Sequence, residues 1–365
     1  MKAVALIDGE HYAPVVRDAL RALPYEWVGA ILVGGTEKLR PGADYGVPLV
    51  DGFGDAEVVV DLSDEPVLGP AERFQWASRA LALGLPYVGA DFRFDPPELA
   101  RFDLPSIAVI GTGKRVGKTA VTVHLARLLA RDRDVVVVSM GRGGPAEPEV
   151  VEEPPTVEEL VERSRSGRHA ASDHLETALL AGVPTIGCRR AGGGLAGAVF
   201  ATNVADGARL AADRRPDVVV FDGSGAAIPP VAVDRRVLVV GPAAERDPYL
   251  DTYRRLISDV VVAEPRLRLR PTAPLDGRVA VFTAGGTDVT HLDADVIHVS
   301  SNLGRREALA HDLVDADTYL VELKGAAIDV VAEHALAHDI RIVIAGNDVL
   351  GIDDAELLAL VPVEA

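Results

Sequence analysis

The sequence predicts an α/β protein with mainly parallel sheets, and three observations carry that expectation. First, short apolar, β-branched runs recur along the whole chain. They are VALI from Val4, VGAILVG from Val28, AEVVVDL from Ala56, PSIAVIG from Pro105, RDVVVVSM from Arg133, VPTIG from Val183, PDVVVFDG from Pro216, RVLVVG from Arg236, RVAVFTA from Arg278, DTYLVEL from Asp317 and IRIVIAG from Ile340. Runs that are apolar at every position read as strands covered on both faces. Second, alanine- and leucine-rich helical patterns lie between them, at Pro14–Ala22, Glu72–Leu83, Lys118–Ala130, His174–Ala181 and Ile328–His338. Strands alternating with helices give parallel sheets. Third, FRFDPPELARFDLPS, from Phe92 to Ser106, interrupts the rhythm with three prolines. A domain boundary is expected there. It separates a small Rossmann-like domain over 1–103 from a larger doubly wound domain over 104–365.

A second interruption is the acidic, proline-rich segment over 141–173, with one helix-like piece near Thr156 to Arg163. A loop of that length in a compact domain is expected to act as a lid. The chain has 365 residues, 48% hydrophobic and 25% charged, enough for two or three compact cores. The apolar run before Asp8 is too short for a secretory signal, and no stretch is long enough to span a bilayer, so a soluble cytoplasmic protein with no membrane partner is expected. Cys188 is the only cysteine, which excludes an intrachain disulfide and reads as a buried strand residue. A net charge of −18 excludes a general nucleic-acid surface. Anions would bind only where basic groups are concentrated. Only five of the basic residues are lysines (Lys2, Lys38, Lys114, Lys118 and Lys324), and two of the five lie in one turn. That suits a site needing a compact point charge.

The turn is in SIAVIGTGKRVGKTAVTVHLARLL, which reads as strand, glycine-rich turn and helix. This is the context of a P-loop, so the larger domain is expected to be a P-loop NTPase domain. Backbone N–H groups of Gly113, Lys114, Gly117, Lys118, Thr119 and Ala120 would face the phosphates of ATP. Lys118 would bridge the β- and γ-phosphates, and the Thr119 hydroxyl would bind Mg²⁺. The strict pattern G-x-x-x-x-G-K-[ST] is not met: Thr112 stands at the first glycine, with Gly111 and Gly113 on either side. A second piece, PDVVVFDGSGAAIPPV, places Asp222 after a buried strand and before a glycine-rich loop.

The GT....GKT turn together with that strand-acid-glycine segment resembles dethiobiotin synthetase and its relatives. The resemblance implies that Asp222 serves magnesium, with aspartate where those proteins carry glutamate. A closer resemblance covers most of the chain. MKAVALIDGEHYAPVV, GTGKRVGKTAV, SMGRGGPAEPEVVE, GRHAASDHLETALLAGVPTIGCRRAGGGLAGAVFATNV, FDGSGAAIPPV and TYLVELKGAAIDVV are similar, in this order, to the cyclic 2,3-diphosphoglycerate synthetase family. The chain is expected to be shorter at its C-terminal end than the archaeal members. The resemblance implies an ATP-dependent ligase that closes 2,3-diphosphoglycerate into a ring with an intramolecular phosphoanhydride, with ATP and Mg²⁺ as cofactors, acting as a homodimer.

A substrate with a carboxylate and two phosphates needs focused positive charge. Arg189, Arg190 and the following Gly192, Gly193 and Gly194 would supply it, with Arg142 repeating the arrangement. Arg115 would reach the transferred phosphoryl group. Glu149, and equally Glu147, are candidate magnesium ligands in the suspected lid. His174 is given no general-base role and is equally readable as structural, beside a helix cap at Ser172 or Asp173. The acidic stretches Asp8–Tyr12 and Asp61–Pro66 follow strands and could bind hydroxyls, a metal or the main domain. Lys324 follows a strand and could point into the site or lie on the surface. Two other readings stand beside this one: a related P-loop kinase or ligase for another anionic substrate, and a nucleotide-switched partner protein.

Overall fold

The computed structural model describes residues 1–65, 67–241 and 250–361. The chain separates into two compact units. The first takes in residues 1–98, 194–198 and 250–258. Its sheet contains β1 (Lys2–Ile7), β2 (Glu26–Leu32), β3 (Val58–Asp61), β4 (Tyr87–Val88) and β5 (Arg93–Phe94), in the order β2-β1-β3-β4-β5. The first four strands are parallel, as the helices Ala13–Ala22 and Pro70–Ala82 between them require. Ala5, Ile7, Val16, Leu20, Ala30 and Tyr45 close its core.

The two acidic stretches of this unit meet each other. Asp8 is fully buried, and its carboxylate accepts from the backbone N–H groups of Glu10 (2.9 Å) and Asp64 (2.7 Å) and lies 2.7 Å from His11 Nδ1. Asp61 accepts from Ser63 N (2.9 Å), Arg73 Nε (3.0 Å) and the Tyr87 hydroxyl (2.6 Å). These carboxylates tie strand ends to loops, as buried charges must when they are not bound to a ligand. Pro66 lies outside the described residues.

The second unit holds two sheets. The larger contains β6 (Ser106–Gly111), β7 (Val135–Gly141), β8 (Glu149–Val151), β9 (Thr185–Ala191), β10 (Ala201–Thr202), β11 (Val218–Asp222), β12 (Arg235–Val240) and β13 (Val260–Ala263). Its path is β10-β9-β7-β11-β6-β12-β13, with β8 pairing antiparallel to β9. From β9 to β13 all neighbours are parallel. The four consecutive valines of β7 are buried on both faces, the property that made the run legible. Helix Lys118–Leu129 packs Val121, Leu125 and Leu129 onto Ile107, Val137, Val220 and Val239. Each such side chain contributes roughly 1.5–3 kcal/mol of burial.

The other sheet contains β14 (Arg266–Pro271), β15 (Arg278–Phe282), β16 (Asp295–Ser300), β17 (Thr318–Glu322) and β18 (Arg341–Leu350). Its order is β14-β18-β17-β15-β16, with only β14 antiparallel. The helix expected over Ile328–His338 is instead two pieces. Ala327–Ala332 is wound wide, with the Val331 N–H reaching Ala326 O at 3.3 Å, and Glu333–Ala337 is an ordinary α-helix.

Segment 141–173 is built rather than open. It carries β8 and a helix, Val157–Arg165, that starts with a reciprocal cap between Thr156 and Glu159.

Candidate active site

The site forms where β6, β7, β9 and β11 end on one edge of the larger sheet. Strand β6 stops at Gly111, and the chain turns into helix Lys118–Leu129. Thr112, the residue that departs from the strict pattern, is buried, and its Oγ1 accepts from the Gly241 N–H at 3.0 Å. The hydroxyl therefore ties the start of the loop to the end of β12, a bond no glycine could make. Lys114 and Arg115 are exposed on the loop, Arg115 with φ +59°. Gly117 has φ +90°, and a Cβ there would come within 2.7 Å of Pro265 Cγ, so glycine is required on both counts.

Because β11 pairs directly with β6, its last residue lies beside the loop. Lys118 Nζ is 2.6 Å from Asp222 Oδ1, and Thr122 Oγ1 donates to the same oxygen at 2.9 Å. Both partners of the ion pair are buried. Asp222 Oδ2 is buried with no hydrogen-bond partner among the described residues. Burial pushes the Asp222 carboxyl above its ordinary value, and Lys118 opposes that shift. Among the described residues, no three His, Cys, Asp or Glu side chains group to hold a metal alone. A magnesium ion carried on nucleotide phosphates needs only one or two protein oxygens. The unpartnered Asp222 Oδ2 fits that need, and Thr119 stands half-buried at the helix start.

Strand β9 contributes the arginines. Arg189 is exposed, and its backbone is pinned by Asn203 Oδ1, which accepts the Arg189 N–H at 2.7 Å. Arg190 reaches across the edge: one guanidinium nitrogen donates to Ser224 O at 2.9 Å, two residues past Asp222, and another to Gly192 O. Burial and the neighbouring Arg142 guanidinium depress the Arg190 pKa. Arg142 and Arg190 are thus brought together as like charges at the end of β7 and β9, an arrangement that favours an anion between them. A Cβ on Gly193 would lie 3.3 Å from the Arg190 guanidinium. Gly194 differs: it groups with the first unit, and its N–H already donates to Ala198 O at 2.8 Å, leaving no free donor for an oxyanion.

The structure places Glu149 apart from Asp222. Its two oxygens accept from the Arg163 guanidinium at 2.5 and 2.6 Å, and His174 Nε2 lies 3.7 Å away. His174 and Arg163 hold its carboxyl well below the usual carboxylate range. A group so engaged ties β8 to helix Val157–Arg165, and a metal would have to break that pair. Glu147 is exposed in the turn before β8. His174 is buried, with Nδ1 3.1 Å from Ser172 Oγ, in keeping with a structural role. Cys188 is buried, and burial pushes its thiol up to about 12, which makes it unreactive.

Two neighbours, Thr122 and Glu176, were not singled out from the sequence, and Asp173 was read only as a candidate helix cap. Thr122 lies one turn after Lys118 and touches Asp222. Asp173 opens helix Asp173–Ala181 with a carboxylate oxygen 3.1 Å from where a Cβ on Gly141 would stand, and its charge acts on Asp222, Arg190 and Lys324. Glu176, one turn on, is buried and lies 3.2 Å from Lys324 Nζ. The i, i+3 spacing of the two acids in SDHLE was the available signal.

A strand-loop-helix phosphate cradle, with an acid on the adjoining parallel strand, defines a P-loop nucleotide-binding protein. Models of three domains of one family match in order: the cyclic 2,3-diphosphoglycerate synthetase N-terminal domain over residues 2–95, its P-loop domain over 106–265 and its C-terminal domain over 287–348. The chain is 46% identical to the cyclic 2,3-diphosphoglycerate synthetase of Rubrobacter xylanophilus, over 98% of this chain and 96% of that one. It is 39% identical to the synthetase of Thermococcus gammatolerans, over 97% and 95%, and 38% identical to that of Pyrococcus horikoshii, over 97% and 94%. The chain belongs to the cyclic 2,3-diphosphoglycerate synthetase family. The first alignment runs over 429 positions, more than this chain's 365 residues, and covers nearly the whole relative. The alignments to the two archaeal relatives, over 416 and 410 positions, are likewise longer than this chain, so most of the difference in length lies in gaps within the aligned region.

Proposed function

We propose that the protein uses ATP to close 2,3-diphosphoglycerate into its cyclic phosphoanhydride, releasing ADP and inorganic phosphate. The observation that carries this reading is the meeting of two devices at one sheet edge. The Lys118–Asp222 pair of the P-loop lies beside a strand end where Arg190 and Arg142 concentrate positive charge.

One oxygen of a substrate phosphate attacks the γ-phosphorus of ATP, and the bond to ADP breaks. The second substrate phosphate then attacks the inner phosphorus of the new pyrophosphoryl group. Inorganic phosphate leaves, and the ring closes. Lys118 leaves Asp222 to bind the transferred group, and Arg115 follows the same charge from the loop. The Thr119 hydroxyl and Asp222 would hold Mg²⁺ together with the nucleotide, and the ion would supply further charge neutralisation. Arg142, Arg189 and Arg190 hold two mutually repelling phosphates at reacting distance. Phosphate oxygens are ionised near neutral pH, so the step needs no strong general base. Segment 141–173 serves the reaction through its two ends, which bear Arg142 and Asp173.

The test is stoichiometric. With Mg-ATP and 2,3-diphosphoglycerate, phosphorus NMR should show one ADP and one free phosphate for each substrate consumed. Both substrate resonances should move together into an anhydride product. Persistence of those resonances while ATP is hydrolysed, or a triphosphorylated endpoint, would defeat the cyclisation reading.

The arginines give a second test. Arg190→Ala should weaken use of the polyanionic substrate by on the order of 10–100-fold, the worth of a charge-assisted contact, with ATP affinity little changed. Arg189→Ala should act in the same direction. A large loss of ATP affinity with unchanged substrate dependence would move both residues to the nucleotide.

A further inference from the structure

Lys324 is one of only five lysines, and the structure carries it to the same region from the other sheet of its unit. It follows β17, and the turn after it is fixed. Gly325 has φ +53°, a Cβ there would come within 2.3 Å of Leu303 O, and the Ala326 N–H donates to that same oxygen at 3.0 Å. The next residue of the supporting loop, Gly304, borders the P-loop: a Cβ on it would stand 3.9 Å from the Arg115 guanidinium. The Lys324 turn and the tip of the phosphate loop thus share one support.

The ammonium is held on Glu176 at 3.2 Å, and Asp173 and Glu322 also act on it. Glu322 is engaged elsewhere, accepting from the Ala284 N–H at 2.8 Å and from Asn347 Nδ2 at 3.1 Å. Glu176 is buried, whereas the Lys324 side chain is 38% exposed, so of the two the cation is the one open to a ligand. The arrangement repeats that of the P-loop, where Lys118 waits on a buried carboxylate. Burial keeps the Glu176 carboxyl at about 7, with Lys324 opposing the rise. It can therefore take a proton when the ammonium leaves, instead of standing as a bare buried charge.

We infer that Lys324 is a further phosphate ligand of this active site, held on Glu176 until a phosphorylated ligand draws it away. Glu176 is then the resting partner of the ammonium, which the ligand displaces. This inference deepens the synthetase reading and rests on it for the identity of the substrate.

The experiment measures binding by calorimetry for the full chain and for Lys324→Met and Glu176→Gln, with 2,3-diphosphoglycerate and with a non-hydrolysable ATP analogue as separate ligands. Lys324→Met should weaken one of them by about 10- to 100-fold. Loss confined to the diphosphate acid places the ammonium on a substrate phosphate, and loss confined to the analogue places it on the γ-phosphate; either supports the inference. Glu176→Gln removes the competitor and should leave that affinity unchanged or tighter. Two results would overturn the inference: both affinities of Lys324→Met staying within about twofold of the parent, or Glu176→Gln weakening binding as much as Lys324→Met does, the mark of a structural pair. Failure of the synthetase reading would appear separately, as a parent protein that consumes no 2,3-diphosphoglycerate. The binding measurements would still decide the role of Lys324.

Discussion

Lys118→Ala should lower ATP turnover by on the order of 10³-fold while the chain still folds. The ammonium is buried at the start of the P-loop helix and paired at 2.6 Å with Asp222, so it is already positioned when phosphates arrive. Its loss removes the one compact cation that the loop aims inward. The substitution also leaves Asp222 buried with Thr122 as its one side-chain donor among the described residues. Breaking a buried pair costs about 3–5 kcal/mol when the remaining charge stays ionised. Protonation of Asp222 relieves part of that cost, because burial already raises its carboxyl above the ordinary value. The sign of the pH dependence follows. A carboxyl raised in the folded state binds its proton more tightly there than in the unfolded chain, so the unfolded chain holds fewer protons. The variant's stability should therefore decline relative to the parent as pH rises above the ordinary carboxyl range toward the raised value. ADP release reads the first effect, and urea unfolding at several pH values reads the second. Near-parental turnover by a folded variant would remove Lys118 from the mechanism.

How much of this was legible depends on how each residue is buried. Strands β1, β2, β3, β6, β7, β9, β11, β12, β15, β17 and β18 were all read as apolar runs, because layers cover them. Strand β16 alternates partly buried and exposed positions, DVIHVS, and β14 reads RLRLRP with only one of its six residues buried. Such edge strands carry no continuous apolar signal. β8 and β10 have three and two residues, too few for any period. The P-loop was legible because backbone geometry forces its glycines and its lysine. The engagement of Glu149 was not: its Arg163 partner lies 14 positions away on a helix that packs back onto β8. Sequence position put Glu149 among candidate metal ligands, and folding gave it a guanidinium. Conversely, Asp173 and Glu176 carried a visible helical spacing, but only the arrival of Lys324 from another sheet shows what the second acid holds.

Asp222→Asn should reduce ATP turnover by on the order of 10²–10³-fold and raise the magnesium concentration needed for half-maximal turnover. The amide has nearly the shape of the carboxylate. Its carbonyl oxygen can still accept from Lys118 and Thr122, the two groups now bonded to Oδ1. What it loses is the charge on the second oxygen, which is buried and has no hydrogen-bond partner among the described residues. An unpartnered buried carboxylate oxygen is expensive to keep unless a ligand completes it. Asparagine lifts that cost only in part, because its amide nitrogen would stand at the same buried, unpartnered position. Stability should fall by up to about 3 kcal/mol, because the Lys118 ammonium then stays buried without its counter-ion. A variant that still folds and loses its magnesium response separates the ligand role from a merely structural one. Turnover within about threefold of the parent would withdraw Asp222 from the metal site. A large loss with an unchanged magnesium requirement would show that Asp222 serves only to align Lys118.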